Sequence, residues 1–210
     1  MMPSAASRDR LHELDEPTRA LVVLSATITA GNDRAIRDAI TRAATDIPGL
    51  WVEELLLQSY LFAGFPRALN AMREWRRVEP EALVGALPAD IDRWRADGEA
   101  TCAAVYGSMY ERLRENIRHL HPSLDEWMVT EGYGKVLSRP RLDPPRRELC
   151  IVAACAAAGQ DRQLHSHFHG ALNVGVDPLV IDQVLDAIAD VVGADRAASA
   201  RMLWARVRGK

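Results

Sequence analysis

The sequence predicts an all-α protein with two tandem core repeats packed as a pseudo-dimer. Three observations carry this. Apolar residues recur at helical spacing through most of the chain. The runs are bounded by helix caps, early prolines and glycine stops. The grammar of the first eighty residues then returns after residue 140. Leu14, Asp15, Pro17, Arg19, Leu21, Gly31, Asp33 and Arg34 find identical residues 128 positions on, at Leu142, Asp143, Pro145, Arg147, Leu149, Gly159, Asp161 and Arg162. After a one-residue slip, Gly64, Arg67, Ala68 and Trp75 match Gly193, Arg196, Ala197 and Trp204. A tandem duplication is expected, with residues 1–80 as the first core repeat and residues 81–210 as linker helices plus the second. Such repeats pack most simply about a pseudo-two-fold axis, and their seam is a natural place for a pocket.

Taken in order, residues 1–13 read as a loose arm. Asp15 offers an N-cap and Pro17 sits in the first turn, where its missing N–H costs little. Leu21, Val22, Leu24, Ala26 and Ile28 follow as a mostly apolar helix that Gly31-Asn32-Asp33 closes. A second helix runs from about Arg34 to Thr45, with Ile36, Ala39, Ile40 and Ala43 on one face. Pro48-Gly49 breaks the chain before a third, from about Trp51 to Phe62. Gly64-Phe65-Pro66 turns it into a fourth, from about Arg67 to Arg77. Pro80 and Pro88 flank a linker. A long amphipathic helix spans about Ile91 to Leu120, with a break at Gly107. Its like-charge pairs Glu111–Glu115 and Arg114–Arg118 predict a solvated face. Leu124 to Thr130 reads as a short helix, and Gly132-Tyr133-Gly134 to Pro140 as a loop. The grammar of the opening then resumes.

Composition bounds the function. Hydrophobic content of 48% and charged content of 26% are those of a soluble globular protein. A net charge of −3 gives no electrostatic case for nucleic acid. MMPSAASRDR has neither an apolar run nor a cleavage-site pattern, so no signal peptide is expected. The longest apolar run, Leu149 to Ala158, is about half of what a bilayer span needs. No membrane partner and a cytoplasmic location are the expectation. Three cysteines, Cys102, Cys150 and Cys155, are too few and too oddly spaced for a disulfide framework or a C-x-x-C, and read as small buried hydrophobes.

The chemistry-bearing residues concentrate between Asp143 and Gly175. In the helix from about Arg162 to Val174, Leu164, Phe168, Ala171 and Leu172 form the core stripe. His165 and His167 flank that stripe and His169 points further round, so periodicity does not choose between the first two. His165 and His169 have the i, i+4 spacing of metal ligands, but a third ligand is missing and Asp161 is on the wrong turn. The other reading pairs one histidine with Glu148, in the first turn of the preceding helix, as a proton relay.

The stretch RRELCIVAACAAAGQDRQLHSHFHGALNVGVDP resembles the carboxymuconolactone decarboxylase family, which includes the alkylhydroperoxidase AhpD. In the family's H-x-x-x-A-L-x-x-G pattern the histidine falls on His167, followed by Ala171, Leu172 and Gly175. Tyr133 to Asp143 resembles its Y/W-G-x-V-x-x-R-P-x-L-D segment. Tyr60 to Ala68, YLFAGFPRA, is similar to its Y-x-G-x-P-x-A segment, although it lies in the first repeat. The resemblance covers nearly the whole chain from about residue 14.

It implies an AhpD-like helical fold and a site built on His167 and Glu148. The peroxidase branch also carries C-x-x-C, whose positions fall here on Gln160 and Gln163. Without a thiolate and a resolving thiol, thiol peroxidase chemistry is argued against. In the first repeat the matching positions are Ala20 and Ala39, so one composite site per chain is expected. The resemblance then implies decarboxylation or proton transfer on a small carboxylated lactone, with no cofactor and no metal. His167 would be the general acid and Glu148 its partner. Tyr60, Phe65, Tyr133 and Arg139 would contact the substrate, Arg139 holding a carboxylate. Family members form rings, so a homo-oligomer, a trimer of pseudo-dimers, is expected. The rival readings are a thiol oxidoreductase and an assembly protein without catalysis.

Overall fold

The computed structural model describes residues 10–82, 85 and 89–209. Pro88, at the end of the expected linker, and residues 1–9 of the expected arm lie outside these. The described residues are all-α, with one isolated bridge and no strand. Four helices open the chain: α1 (Glu16–Ala30), α2 (Asp33–Asp46), α3 (Gly49–Ala63) and α4 (Phe65–Val78). The middle holds α5 (Ile91–Tyr106), a tight turn at Gly107–Met109, α6 (Tyr110–Leu120) and α7 (Pro122–Trp127), which continues as a wider π-helix over Met128–Leu137. The chain ends with α8 (Pro144–Ala158), α9 (Asp161–Asn173), α10 (Pro178–Ala187), α11 (Ala189–Val192) and α12 (Ala194–Arg208).

The caps act as the sequence suggests. Asp15 accepts from the Thr18 amide at 2.8 Å, Asn32 from Ala35 at 2.9 Å and Asp143 from Arg146 at 3.0 Å, each satisfying a donor that the first helical turn leaves unpaired. Gly107, at φ +54°, supplies the break in the long middle helix.

Helices α1 and α8 cross at the centre of the molecule, and their contact is why both are apolar nearly all round. Leu21, Val22, Leu24 and Ile28 bury against Leu149, Ile151 and Val152. Ser25 Oγ donates to the Cys150 carbonyl at 2.7 Å across the crossing. Arg146 reaches from α8 to Asp15 and to Thr18 Oγ1, both at 2.8 Å.

The first four and last five helices share details of packing. Trp75 Nε1 donates to Glu53 at 3.4 Å, and Trp204 Nε1 to Asp182 at 2.7 Å. Arg67 donates to the carbonyls of Ile28 and Gly31 at the end of α1, and Arg196 packs against Gly159 at the end of α8.

Three expectations need correction. The arm is not loose from residue 10 on: Leu11 pairs with Val176, its amide donating to Gly175 O at 3.1 Å and its carbonyl accepting from Asp177 at 3.0 Å. The face that carries Glu111, Glu115 and Arg118 is exposed as expected, but Arg114 is drawn inward. Both guanidinium groups bind Asp125, a buried carboxylate of α7, and the bonds from Arg114 hold its pKa below the usual range. Gly132 to Leu137 is helix, not loop. Its glycine was misread because close approach, not a turn, requires it. A Cβ on Gly134 would collide with the Trp94 carbonyl, and one on Gly98 with the Val129 carbonyl, so these two residues let α5 and the π-helix cross at backbone contact.

That crossing separates two neighbouring glycines. Gly134→Ala is expected to destabilise the protein by about 3 kcal/mol or more through overpacking. Gly132→Ala, whose new Cβ would meet nothing closer than 3.9 Å, is expected to be neutral or slightly stabilising. Thermal unfolding of the two variants checks the contrast.

Candidate active site

The first turn of α8 aims three consecutive side chains in three directions, because successive helical residues are about 100° apart. Arg146 turns outward, bound to Asp15 and Asp143 at 2.8 Å, with its guanidinium 4.4 Å from the Trp51 ring centroid. Arg147 turns under toward α3. Its Nη2 donates to Glu54 at 2.7 Å and to the Arg139 carbonyl at 3.0 Å, its Nη1 to Gln58 at 3.0 Å and its Nε to the Leu142 carbonyl at 3.1 Å. Burial lowers its pKa and Glu54 opposes that shift. Glu148 turns toward α9 and is buried.

On α9, Leu164, Phe168 and Ala171 face the core, and His167 is buried beside them. Its Nδ1 lies 2.8 Å from Glu148 Oε2. In the tautomer that donates from Nδ1 to Glu148, Nε2 is the nitrogen left for chemistry. Gly170 makes the approach possible: a Cβ there would sit 2.6 Å from Glu148 Oε2 and 2.8 Å from Val105 Cγ1. His165 and His169 are half-buried, with ring centroids 5.0 Å apart. Among the described residues, no three His, Cys, Asp or Glu side chains converge to hold a metal ion.

Aromatic rings enclose the histidine. The edge of Phe62, from α3, meets its ring at 5.8 Å and 85°. Tyr106, at the end of α5, meets it at 6.3 Å, and Tyr133 of the π-helix stacks edge-on against Tyr106 at 5.9 Å. Burial raises both tyrosine pKa values, and the charge of Glu148 adds to each. Cys102 and Cys155 complete the surroundings. Burial pushes each thiol up to about 12, with Glu148 again raising both. Cys150 is also raised by burial.

The residues expected at the site thus divide. His167 and Glu148 meet. Tyr133 stands one ring behind, on Tyr106. Tyr60 and Phe65 go elsewhere: their rings pack together at 5.3 Å, Tyr60 donates to Glu131 at 2.9 Å, and Phe65 is 60% exposed. Among the described residues no ring contact joins either to His167. Arg139 turns to α3, where its Nε donates to both oxygens of Glu54, at 3.0 and 2.9 Å. Sequence reasoning missed Phe62, Tyr106 and Gly170. Phe62 lay inside the YLFAGFPRA segment, and only its helical register could have favoured it over Tyr60.

A cleft of about 580 Å³ lies elsewhere, between the arm and the start of α8, lined by Arg10, Leu11, Ala104, Pro144, Pro145 and Val174. Asp143 and Arg146 also line it and bond to each other, and neither Glu148 nor His167 is part of its lining. The buried pair is therefore the better candidate for chemistry.

Residues 109–206, which hold Glu148, His167 and Tyr133, match the family model described as Carboxymuconolactone decarboxylase family. Over that segment the chain is similar to the family. The chain is also similar to two yeast proteins named Peroxisomal protein 2. To the one from Schizosaccharomyces pombe it is 29% identical over 187 residues, which cover 85% of this chain and 86% of the relative. To the one from Saccharomyces cerevisiae it is 24% identical over 161 residues, covering 62% of this chain and 56% of the relative. No described helix is long and apolar enough to cross a membrane.

The thiols of this carboxymuconolactone decarboxylase-like chain set a test of its redox capacity. At pH 8 a thiol of pKa about 12 is roughly one part in ten thousand thiolate, against about a tenth for one near 9. Native protein at pH 8 is expected to leave an aromatic disulfide reagent unreacted over minutes, and urea-unfolded protein to release three equivalents, one per cysteine. The same shifts set the alkaline limit. Because folding raises the thiol pKa values, the stability they contribute is full below about 9 and is lost as pH rises toward about 12.

Proposed function

We propose that the protein catalyses proton transfer at a carbon conjugated to a carbonyl, with decarboxylation of a small carboxylated lactone as the leading reaction and no cofactor taking part. The observation that carries this reading is the 2.8 Å bond between His167 Nδ1 and Glu148, buried among aromatic rings. Loss of carbon dioxide leaves an electron pair that flows into the conjugated carbonyl. The imidazolium then gives its Nε2 proton to carbon, while Glu148 keeps Nδ1 protonated, fixes the ring and stabilises its charge. The match of residues 109–206 to the carboxymuconolactone decarboxylase family agrees with this class of chemistry without naming a substrate. A thiol oxidoreductase fits less well, because all three cysteines are buried with raised pKa values.

The wider setting is part of the same proposal. The chain is a tandem duplication with cores in residues 1–80 and 81–210, supported by helices that begin 128 residues apart at Glu16 and Pro144, and again at Asp33 and Asp161. Exposed Phe65, Leu69 and Trp127 offer apolar surface for a homo-oligomer, a trimer of such pseudo-dimers. The name shared by the two yeast relatives favours a peroxisomal setting over the cytoplasm. A monomeric mass in solution, or diffuse cytosolic signal from the tagged chain, would overturn these last two points.

The catalytic reading is checked with a panel that sets lactone decarboxylation against hydroperoxide reduction, on wild type and His167→Ala. Decarboxylation is expected in the wild type, with kcat about 10²–10⁴-fold lower in the variant. Turnover unchanged by the substitution would remove His167 from the mechanism, and peroxide reduction alone would replace the reading by the thiol one.

A further inference from the structure

We propose that Tyr106, braced by Tyr133, is a second catalytic residue of this site, whose hydroxyl donates a hydrogen bond to the oxygen that becomes negative as charge leaves the reacting carbon. This rests on the proton-transfer reading above. The substrate class it selects is a carboxylate, or a carbon acid, whose released electron pair flows into a carbonyl.

The chemistry calls for such a donor. In decarboxylation the C–CO₂⁻ bond breaks, and its electron pair forms a carbon–carbon double bond. The carbonyl π pair moves onto oxygen and carbon dioxide leaves. The enolate oxygen carries the charge until carbon takes the Nε2 proton from His167, the carbonyl re-forms and the imidazole regains a proton from water. A donor already in place at that oxygen lowers the barrier at no cost of reorganisation.

Tyr106 is placed for this role. Two rings lie against His167, and of these Phe62 carries no polar atom while Tyr106 carries a hydroxyl. Tyr106 is half-buried and keeps some exposure to solvent, whereas Tyr133 behind it is buried. The Tyr133 ring meets Tyr106 edge-on at 5.9 Å and Tyr106 lies 6.3 Å from the His167 ring, which places the two tyrosines in line beside the acid–base pair. Burial keeps the Tyr106 hydroxyl protonated, so it stays a donor across the working pH range. The nearby guanidinium groups are already engaged: Arg146 by Asp15 and Asp143, Arg139 and Arg147 by Glu54. Tyr133 is then a positioning residue, acting through Tyr106.

p-Nitrophenol is a suitable probe, since its phenolate resembles a conjugated enolate and is yellow only when ionised. Wild type is expected to bind it as the phenolate, with its apparent pKa lowered on binding. Tyr106→Phe should weaken phenolate binding about tenfold and abolish the pKa shift, Tyr133→Phe should do so partially, and nitrobenzene, which cannot ionise, should bind all three alike. In turnover, Tyr106→Phe should lower kcat about 100-fold with KM little changed. The proposal is overturned if wild type shows no preference for the phenolate, if Tyr106→Phe binds it as well as wild type does, or if nitrobenzene binding falls in parallel. Those results leave the role of His167 standing wherever His167→Ala still abolishes turnover. Conversely, a phenolate signal lost in Tyr106→Phe, together with turnover indifferent to His167→Ala, would sink the proton-transfer reading instead.

Discussion

The molecule depends on an ion pair sealed between α3 and α8. Arg147 is 2% exposed and Glu54 is fully buried, so both have given up their hydration. Removing one such partner typically costs about 3–5 kcal/mol, because the other charge is left stranded. The pair is tolerated because its geometry is saturated. Arg147 reaches Glu54, Gln58 and the carbonyls of Arg139 and Leu142, Gln58 returns a bond to the Arg147 carbonyl at 3.2 Å, and Arg139 binds Glu54 from the other side. Three separate pieces of chain are thereby fixed: α3, the turn before α8, and α8 itself.

That constraint sets the site. Holding Arg147 against α3 leaves the next side chain, Glu148, about 100° round the helix and facing α9. On α3, Glu54, Gln58 and Phe62 follow at i, i+4 and i+8, one face of a helix. The face that takes the guanidinium therefore also delivers Phe62 against His167. Tyr60, two residues before Phe62, is rotated away to Glu131 and the surface. The buried salt bridge thus stands one helical step from the chemistry on α8 and one to two turns from it on α3.

This also explains what could be read from the sequence. Caps, prolines and apolar periodicity are local, and they located the helices to within a few residues. His167 and Glu148 were legible through the family resemblance, since periodicity left His165 equally open. What failed was partner choice across space. Gly134 looks like a loop glycine until Trp94 is known to cross it. Arg114 looks as solvated as Arg118 until the buried carboxylate of Asp125 is found beside it. Arg139 looks like a free cation until Glu54 is placed beside it, 85 residues away in sequence. Buried electrostatics are decided by tertiary neighbours, and no window of sequence contains them.

The first four helices could be taken for a spent copy, because Ala20 and Ala39 stand 128 positions before Glu148 and His167. A cavity of about 60 Å³, lined in part by these two alanines, sits there now, with Arg42 at the position corresponding to Gly170. An acid–histidine pair would not fit beside that arginine as Glu148 fits beside Gly170, where a Cβ would already be 2.6 Å away. Yet the same four helices contribute Glu54, Gln58 and Phe62 to the working half. On the proposed reading, residues 81–210 supply Glu148 and His167, and the first four helices supply Glu54, Gln58 and Phe62, which hold and flank them. The position of His167 thus draws on both ends of the chain: Glu148 bonds its ring from α8, and Phe62 packs against it from α3.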